Sequence, residues 1–468
     1  MPPIALKFAA TKRSGFPEVA TVNCLAERDP NGGSEPLALI ARPGLTAFET
    51  IGTAPTRMLW QKQGLFANSA LVLASQTIYT LSASGASAAY TGSIAGDDLV
   101  EVDGGLDADG NSIARVATGS ALYSVQDTGV VTQETFPDSG NAGATSVGYL
   151  SGYWLASAAG TDAVYYQVPA STTWNALQFA SAEYAPDKIV FIRVVGEIAW
   201  LGGETTLEGW RVTGDATAPL APVGGLKFDV GCRAKSTAVN CRGTLIFVDN
   251  DCSVRMTGGG EPTIISDAGL AEQIRRAPAG DLRASFFVKD QHPVYVLTLG
   301  TDATWLYDLA GQAWTRADSR GYDYWRSDLF ANLGDVALAR DVLSNQIYSL
   351  DPDVRDDDGD TFARVFSAYL ETKERPVPVA NLELHCAVGG APLAGQGSDP
   401  LIGMQWSKNG GKTWSQIRYR GLGQTGKYGT RVRWNGLGQA DAPQGMWFRF
   451  FVSDPTVTRI SGASVNVP

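Results

Sequence analysis

From about residue 57 the chain repeats one pattern: a short apolar strand, a small polar turn, and a second strand that usually carries an aromatic. The units are Leu71–Leu81, Arg115–Val125, Tyr153–Val168, Ile198–Val212, Leu245–Met256, Val294–Leu309 and Val336–Leu350. Marked by Tyr79, Tyr123, Tyr166, Trp210, Arg255, Tyr307 and Tyr348, they recur every 41–52 residues. A hairpin at this period predicts a β-propeller. One small sheet cannot bury both apolar faces, so stacking around an axis supplies the core. Seven hairpins predict seven blades, or six if a terminal hairpin belongs elsewhere. The competing reading is two stacked sandwiches.

Either side of the repeat the pattern changes. Residues 1–55 are rich in Pro and Gly, with turn signals at Pro30–Gly33 and Arg42-Pro43-Gly44, and read as an extended strap lying on something else. A helix is predicted over Ala268–Arg276, capped by Ser266 or Asp267, with apolar Leu270 and Ile274 one turn apart. It falls in the wide gap between the fifth and sixth hairpins. Strand alternation then returns in Phe362–Leu370, Ala380–Ala387, Leu401–Ser407, Thr413–Tyr419, Thr430–Asn435, Met446–Val452 and Ala463–Val467, which predicts a β-sandwich. The expected fold is all-β: strap 1–55, propeller 56–362, sandwich 363–468.

Composition narrows the function classes. In 468 residues only 18% are charged, 10% are aromatic and 53 are Gly, which suits many tight turns. The net charge of −11 argues against a surface that grips phosphate, though not against an acidic channel through which nucleic acid passes. Met1–Ala10 lacks a basic start followed by an apolar core, so no secretory signal is expected. No stretch approaches the roughly 18 apolar residues of a membrane span. Cys24, Cys232, Cys241, Cys252 and Cys386 form no C-x-x-C pair and read as reduced thiols.

Catalytic groups are scarce. Only His292 and His385 are present, both within strand patterns and both read as structural. There is no nucleophile elbow, phosphate-binding loop or H-E-x-x-H. The acidic run Asp351–Asp360 fails as a calcium loop: with Gly359 at position six, Val354 and Val365 fall where Asp and Glu are needed. It reads as a solvated turn closing the propeller. No catalytic residue, cofactor or metal is expected.

The stretch Gln405–Trp414 holds the clearest local motif. Ser407-x-Asn409-x-Gly411-x-Thr413-Trp414 resembles the Asp-box, Ser-x-Asp-x-Gly-x-Thr-Trp, with Asn for Asp. It is a structural β-turn of propellers and sandwiches, in which the glycines accept positive φ cheaply. It invites a sialidase reading, yet it occurs once and outside the propeller. Arg418, Arg420, Arg431 and Arg433 follow it and read as a basic, partner-facing stripe. Among Trp406, Trp414, Trp434 and Trp447, most are expected in the core and one or two as interface anchors.

The flanks of that turn are more specific. W-S-K-N-G-G-K-T-W-S (406–415) precedes Gly423-x-x-Gly426-x-Tyr428-x-x-Arg431-Val432-x-Trp434-x-x-Leu437-Gly438, then Phe448-x-x-x-x-Ser453-Asp454-Pro455. This ordered run resembles the C-terminal signature of the packaged-DNA stabilisation proteins, also called tail hub or nozzle proteins, of short-tailed double-stranded DNA phages. Val22–Glu27 with Arg42–Leu45 is similar to the family's N-terminal strap. Leu201–Trp210 and Leu245–Asn250 are similar to its blades. The resemblance implies a virion tail protein made in the host cytoplasm. It implies a six-fold homo-oligomeric ring beneath the portal and adaptor. The ring continues the DNA channel, through which DNA passes without sequence-specific binding, helps retain packaged DNA, and offers sites for tail fibres or spikes and for a plug or needle. No catalytic residues belong to the family. An acidic lumen is expected from the charge. The alternative is a sialidase-like or other glycan-binding or depolymerising propeller.

Overall fold

The computed structural model describes residues 3–7, 21–28, 37–137, 143–169, 171–182, 187–372, 375–442, 444–457 and 459–466. The Pro30–Gly33 turn lies outside them. Strands dominate, and each of the seven hairpins of the repeat falls in a separate antiparallel sheet. The hairpin supplies the two middle strands of its sheet. In the first sheet Ala70–Ala74 and Thr77–Leu81 are flanked by Thr56–Trp60 and Ser87–Ala89. The next five sheets repeat this order, ending with Leu282–Lys289, His292–Leu299, Ala303–Asp308 and Ala313–Ala317 in the sixth.

The seventh sheet is completed differently. Its strands Phe330–Leu333, Val336–Arg340 and Gln346–Asp351 are followed by Gly44–Thr50 from the start of the chain, antiparallel to Gln346–Asp351. A short hairpin, Asp356–Asp357 with Asp360–Thr361, is added outside that strand. The N-terminal segment thus supplies a strand that the repeat lacks at its end.

Apolar clusters lie between successive sheets and close the circle. Leu71, Leu73, Val116 and Val125 join the first and second sheets. Leu59, Val72, Leu338 and Ile347 join the seventh back to the first. Such fully buried Leu, Ile and Val side chains each contribute about 1.5–3 kcal/mol relative to exposure. The helix Ala268–Arg276 starts at Asp267, whose side chain accepts from Leu270 N at 2.6 Å. Buried Leu270 and Ile274 pack in the cluster between the fifth and sixth sheets. Among the described residues no helix is long and apolar enough to cross a membrane.

The sandwich has two layers. One holds Arg364–Leu370, Met446–Val452, Leu401–Ser407 and Arg418–Gly421 in that order. The other holds Val432–Ala440, Val377–Cys386, Arg459–Asn466, Leu37–Ala41 and Cys24–Arg28. Pro3–Lys7 pairs with a strand of each layer. Phe366, Met404, Trp434, Phe448 and Phe450 fill the space between. The return strand after the Asn409 turn begins at Arg418 rather than Thr413. Thr413 closes the turn through side-chain bonds, and the Ser415 hydroxyl accepts from Trp406 N, so a regular ladder starts only after them.

Candidate functional site

The Asp-box-like turn is a closed hydrogen-bond unit. Gly410 and Gly411 take φ of 67° and 80°, the left-handed region that a side chain would strain. Ser407 Oγ accepts from Gly411 N and donates to Asn409 Oδ1, both at 2.9 Å. Asn409 Oδ1 also accepts from Thr413 N at 2.9 Å, while Asn409 Nδ2 donates to Thr413 Oγ1 at 2.8 Å. Asn therefore fits the Asp position, with the Thr413 hydroxyl accepting from the amide. Trp414 lies under the Arg449 guanidinium, 4.3 Å from ring centre to Cζ. The side-chain polar groups of Ser407, Asn409 and Thr413 are satisfied inside the turn.

The four arginines beyond it are brought to one edge and are partly engaged there. Arg418 donates to Asn435 O at 3.0 Å and lies over the Trp406 ring at 4.5 Å. Arg420 Nε donates to Arg433 O at 2.8 Å. Two arginines of one layer thus clasp the edge strand of the other. Arg431 makes a bidentate pair with Glu383 at 2.6 and 2.8 Å. That contact holds the Glu383 carboxyl below its usual range and raises Arg431 further. Arg433 Nε has no hydrogen-bond partner among the described residues. Of the four tryptophans, Trp434 is fully buried and donates to Arg418 O at 2.9 Å, and the other three are half-buried.

A second constellation joins the strap, the propeller and the sandwich, and sequence reasoning missed it. Arg42 is 0% and Asp357 1% exposed. Arg42 Nη1 and Nη2 donate to Asp357 Oδ1 and Oδ2 at 2.9 and 2.8 Å. Arg42 Nε donates to Asn23 Oδ1 at 2.8 Å, and Nη2 to Asp318 O at 2.9 Å. The guanidinium lies between the Trp325 and Phe362 rings, at 4.5 and 3.8 Å. Asn23 Nδ2 reaches Asp318 Oδ1 and Ala363 O. Burial pushes the Asp318 carboxyl up, against the pull of Asn23 and Arg42. Neighbouring Val22 bridges the outer strand of the sixth sheet, at Arg316, and the sandwich, at Val365. The expectation of a solvated turn at Asp351–Asp360 is therefore corrected: Asp357 is a buried counter-ion. Its only sequence signals were Arg42-Pro43-Gly44 and an unusually acidic run, and neither names a partner.

The propeller encloses a central cavity of about 710 Å³ that every sheet lines, through residues such as Trp60, Val102, Val147, Ile192, Val239, Phe286 and Phe330. Three of its four arginines are held by the wall, and the fourth, Arg242, is exposed. Arg57 donates to the carbonyls of Ser75, Ile94, Ala95 and Asp98, Arg193 pairs with Glu101, and Arg283 lies 3.4 Å from Asp328. No tyrosine is among the described lining residues. A sialidase-like centre needs arginines free to converge on a carboxylate beside a Tyr/Glu pair, and the described lining residues include no such pair. The histidines are bonded within their sheets: His292 Nδ1 to Asp308 Oδ2 at 2.7 Å, and His385 Nε2 to Ser464 Oγ at 3.1 Å. All five cysteines are free thiols, and burial raises Cys24, Cys232 and Cys386 to about 12.

Comparison with known families decides the lineage. The family described as bacteriophage P22 Gp10, beta-propeller, matches residues 4–355, and bacteriophage P22 Gp10, beta-sandwich, matches residues 363–468. The chain belongs to the bacteriophage P22 Gp10 family. The P22 Gp10 order of propeller then sandwich is the order found here, and the resemblance carried by residues 406–455 is borne out. A member of this phage structural family is a component of the virion. No curated protein matches the chain. Among solved structures, a streptogramin B lyase is 11% identical, covering 66% of this chain and 98% of its own at a TM-score of 0.46. Virginiamycin B lyase from Staphylococcus aureus is 10% identical over 66% and 98%, at 0.44. Raptor from Chaetomium thermophilum is 11% identical over 66% and 30%, at 0.44. At such scores these likenesses carry no argument about activity.

Proposed function

We propose that the chain is a tail hub, or nozzle, of a short-tailed phage. Six copies form a ring below the portal and adaptor, continue the DNA channel, and help retain packaged DNA until a plug or needle departs. The ring anchors fibres or spikes, and DNA passes without sequence-specific contacts. The observation that carries this reading is the family match across both the propeller and the sandwich. The net charge of −11 supports a lumen that does not hold phosphate. We read the chain as non-enzymatic, because both histidines and three of the four arginines that line the cavity are bonded to neighbouring groups of the fold.

The test is electron microscopy of virions. A six-fold ring of this chain between the portal and the tail tip, with acidic side chains facing the lumen, is the expected result. A peripheral position, or single copies, overturns the hub. A lumen lined mainly by Lys and Arg overturns the proposed passage of DNA.

A further inference from the structure

The chain divides its charge unevenly. Residues 363–468 hold twelve Lys/Arg against six Asp/Glu, a balance of +6 in a chain of −11, which leaves −17 on residues 1–362. The imbalance is steepest from Gln63 to Asp187, where Arg115 is the one cation among twelve carboxylates. The second and third propeller sheets lie within that span.

Each half of this asymmetry has an exposed patch. On the sandwich, Arg418–Gly421 is an edge strand, paired on one side only, with Leu401–Ser407. Ile417 immediately before the strand and Tyr419 within it are 41% and 55% exposed and lie over Gly403, where a Cβ would meet them at 2.8 and 3.1 Å. Exposed Lys412 and Lys427 flank the strand along the chain. Among the described residues Arg418 and Arg420 hydrogen-bond carbonyls and no carboxylate. Ile417 and Tyr419 thus make an exposed apolar face of this strand, while Arg418 and Arg420 alternate to its other face and keep two positive charges at the same edge. On the propeller, two turns of the second sheet meet, where Asp127 Oδ2 accepts from Ser112 N at 3.1 Å. Asp109 and Asp127 are exposed there, next to exposed Leu106 and Val130.

We propose that the basic, aromatic sandwich edge of one copy docks on the acidic end of the second propeller sheet of a second copy. The contact is heterologous, the kind whose rotation generates a closed ring. The proposal rests on the ring reading above and adds which surfaces meet. Opposite net charges on the two domains steer the copies together and disfavour sandwich-to-sandwich or propeller-to-propeller pairing.

The experiment is sedimentation velocity on the full chain. Wild type is expected to self-associate at low salt and to dissociate as salt rises. Lys412→Glu with Lys427→Glu, and separately Asp109→Lys with Asp127→Lys, each places like charges across the contact. Each is expected to weaken association at least about a hundredfold, with thermal melts unchanged. Mixing the two variants in equal amounts restores association, because both contacts then join opposite charges. The docking is overturned if either variant alone associates like wild type, if the mixture stays dissociated, or if wild type is monomeric at every salt. A six-fold ring in virion micrographs would leave the hub reading standing in those cases. Its absence there would sink the hub reading itself.

Discussion

Arg42→Ala removes the centre of the junction between strap, propeller and sandwich. The side chain is wholly buried and makes two bonds to Asp357, one to Asn23 and one each to the carbonyls of Pro43 and Asp318. Its loss leaves the Asp357 carboxylate buried with, among the described residues, the Ser319 hydroxyl at 2.7 Å as its remaining side-chain donor. Breaking a buried pair from one side costs about 3–5 kcal/mol, mostly because the abandoned charge stays desolvated. Removing both charges together is far milder. Arg42→Met with Asp357→Leu is expected to recover most of that loss. Denaturant unfolding followed by tryptophan fluorescence measures both, since Trp325 lies against the guanidinium. Limited proteolysis across residues 351–363 reports whether the sandwich comes loose. A loss under about 1 kcal/mol for Arg42→Ala, or a double variant worse than the single, would refute the assignment of a buried ion pair to this junction.

Three further outcomes follow from particular contacts. Burial opposes charging of His292, but the hydrogen bond and charge of Asp308 outweigh it and raise its pKa above 6.5. That stabilisation is full below about pH 6.5 and fades as pH rises through the folded value. His292→Asn should therefore lower the melting temperature more at pH 5.5 than at pH 9; an equal drop at both contradicts the pairing. Gly202→Ala would place a methyl 2.0 Å from the Phe191 ring between neighbouring strands. It should cost about 1–3 kcal/mol in urea unfolding, and a neutral result would mean that the ring moves freely. Asn409→Ala deletes both bonds to Thr413 and should lose about 1 kcal/mol. Asn409→Asp should stay within about 0.5 kcal/mol, the Thr413 hydroxyl turning to donate. If both behave alike, the turn is not held by this side chain.

Much of the fold could be read from periodicity. The hairpin repeat marks the middle strands because those strands are buried between neighbouring sheets and must be apolar. The helix was legible from a cap and two apolar positions one turn apart, since both signals are local. The flanking strands were harder: Ser87–Ala89 and Thr263–Ile264 are short and exposed, so nothing in their composition distinguishes them from loop. Of the surface arginines, the stripe was visible as composition. Which carbonyl or carboxylate each reaches was not, because Arg420 and Arg433 sit on different layers.

The sequence by itself determined the all-β class, the recurring unit, the sandwich and, through the ordered run at residues 406–455, the lineage. These depend on spacing within short windows, where backbone geometry leaves few choices. Only the tertiary structure decided how the circle closes and how the two domains are tied. Gly44–Thr50 pairs with Gln346–Asp351 across some three hundred residues, and Arg42 finds Asp357 across a similar distance. A strand's hydrogen-bonding edge and a buried charge carry no mark of their partner in the chain. The partner is selected when stacking of the sheets brings the two ends of the propeller together and excludes water from the space between them.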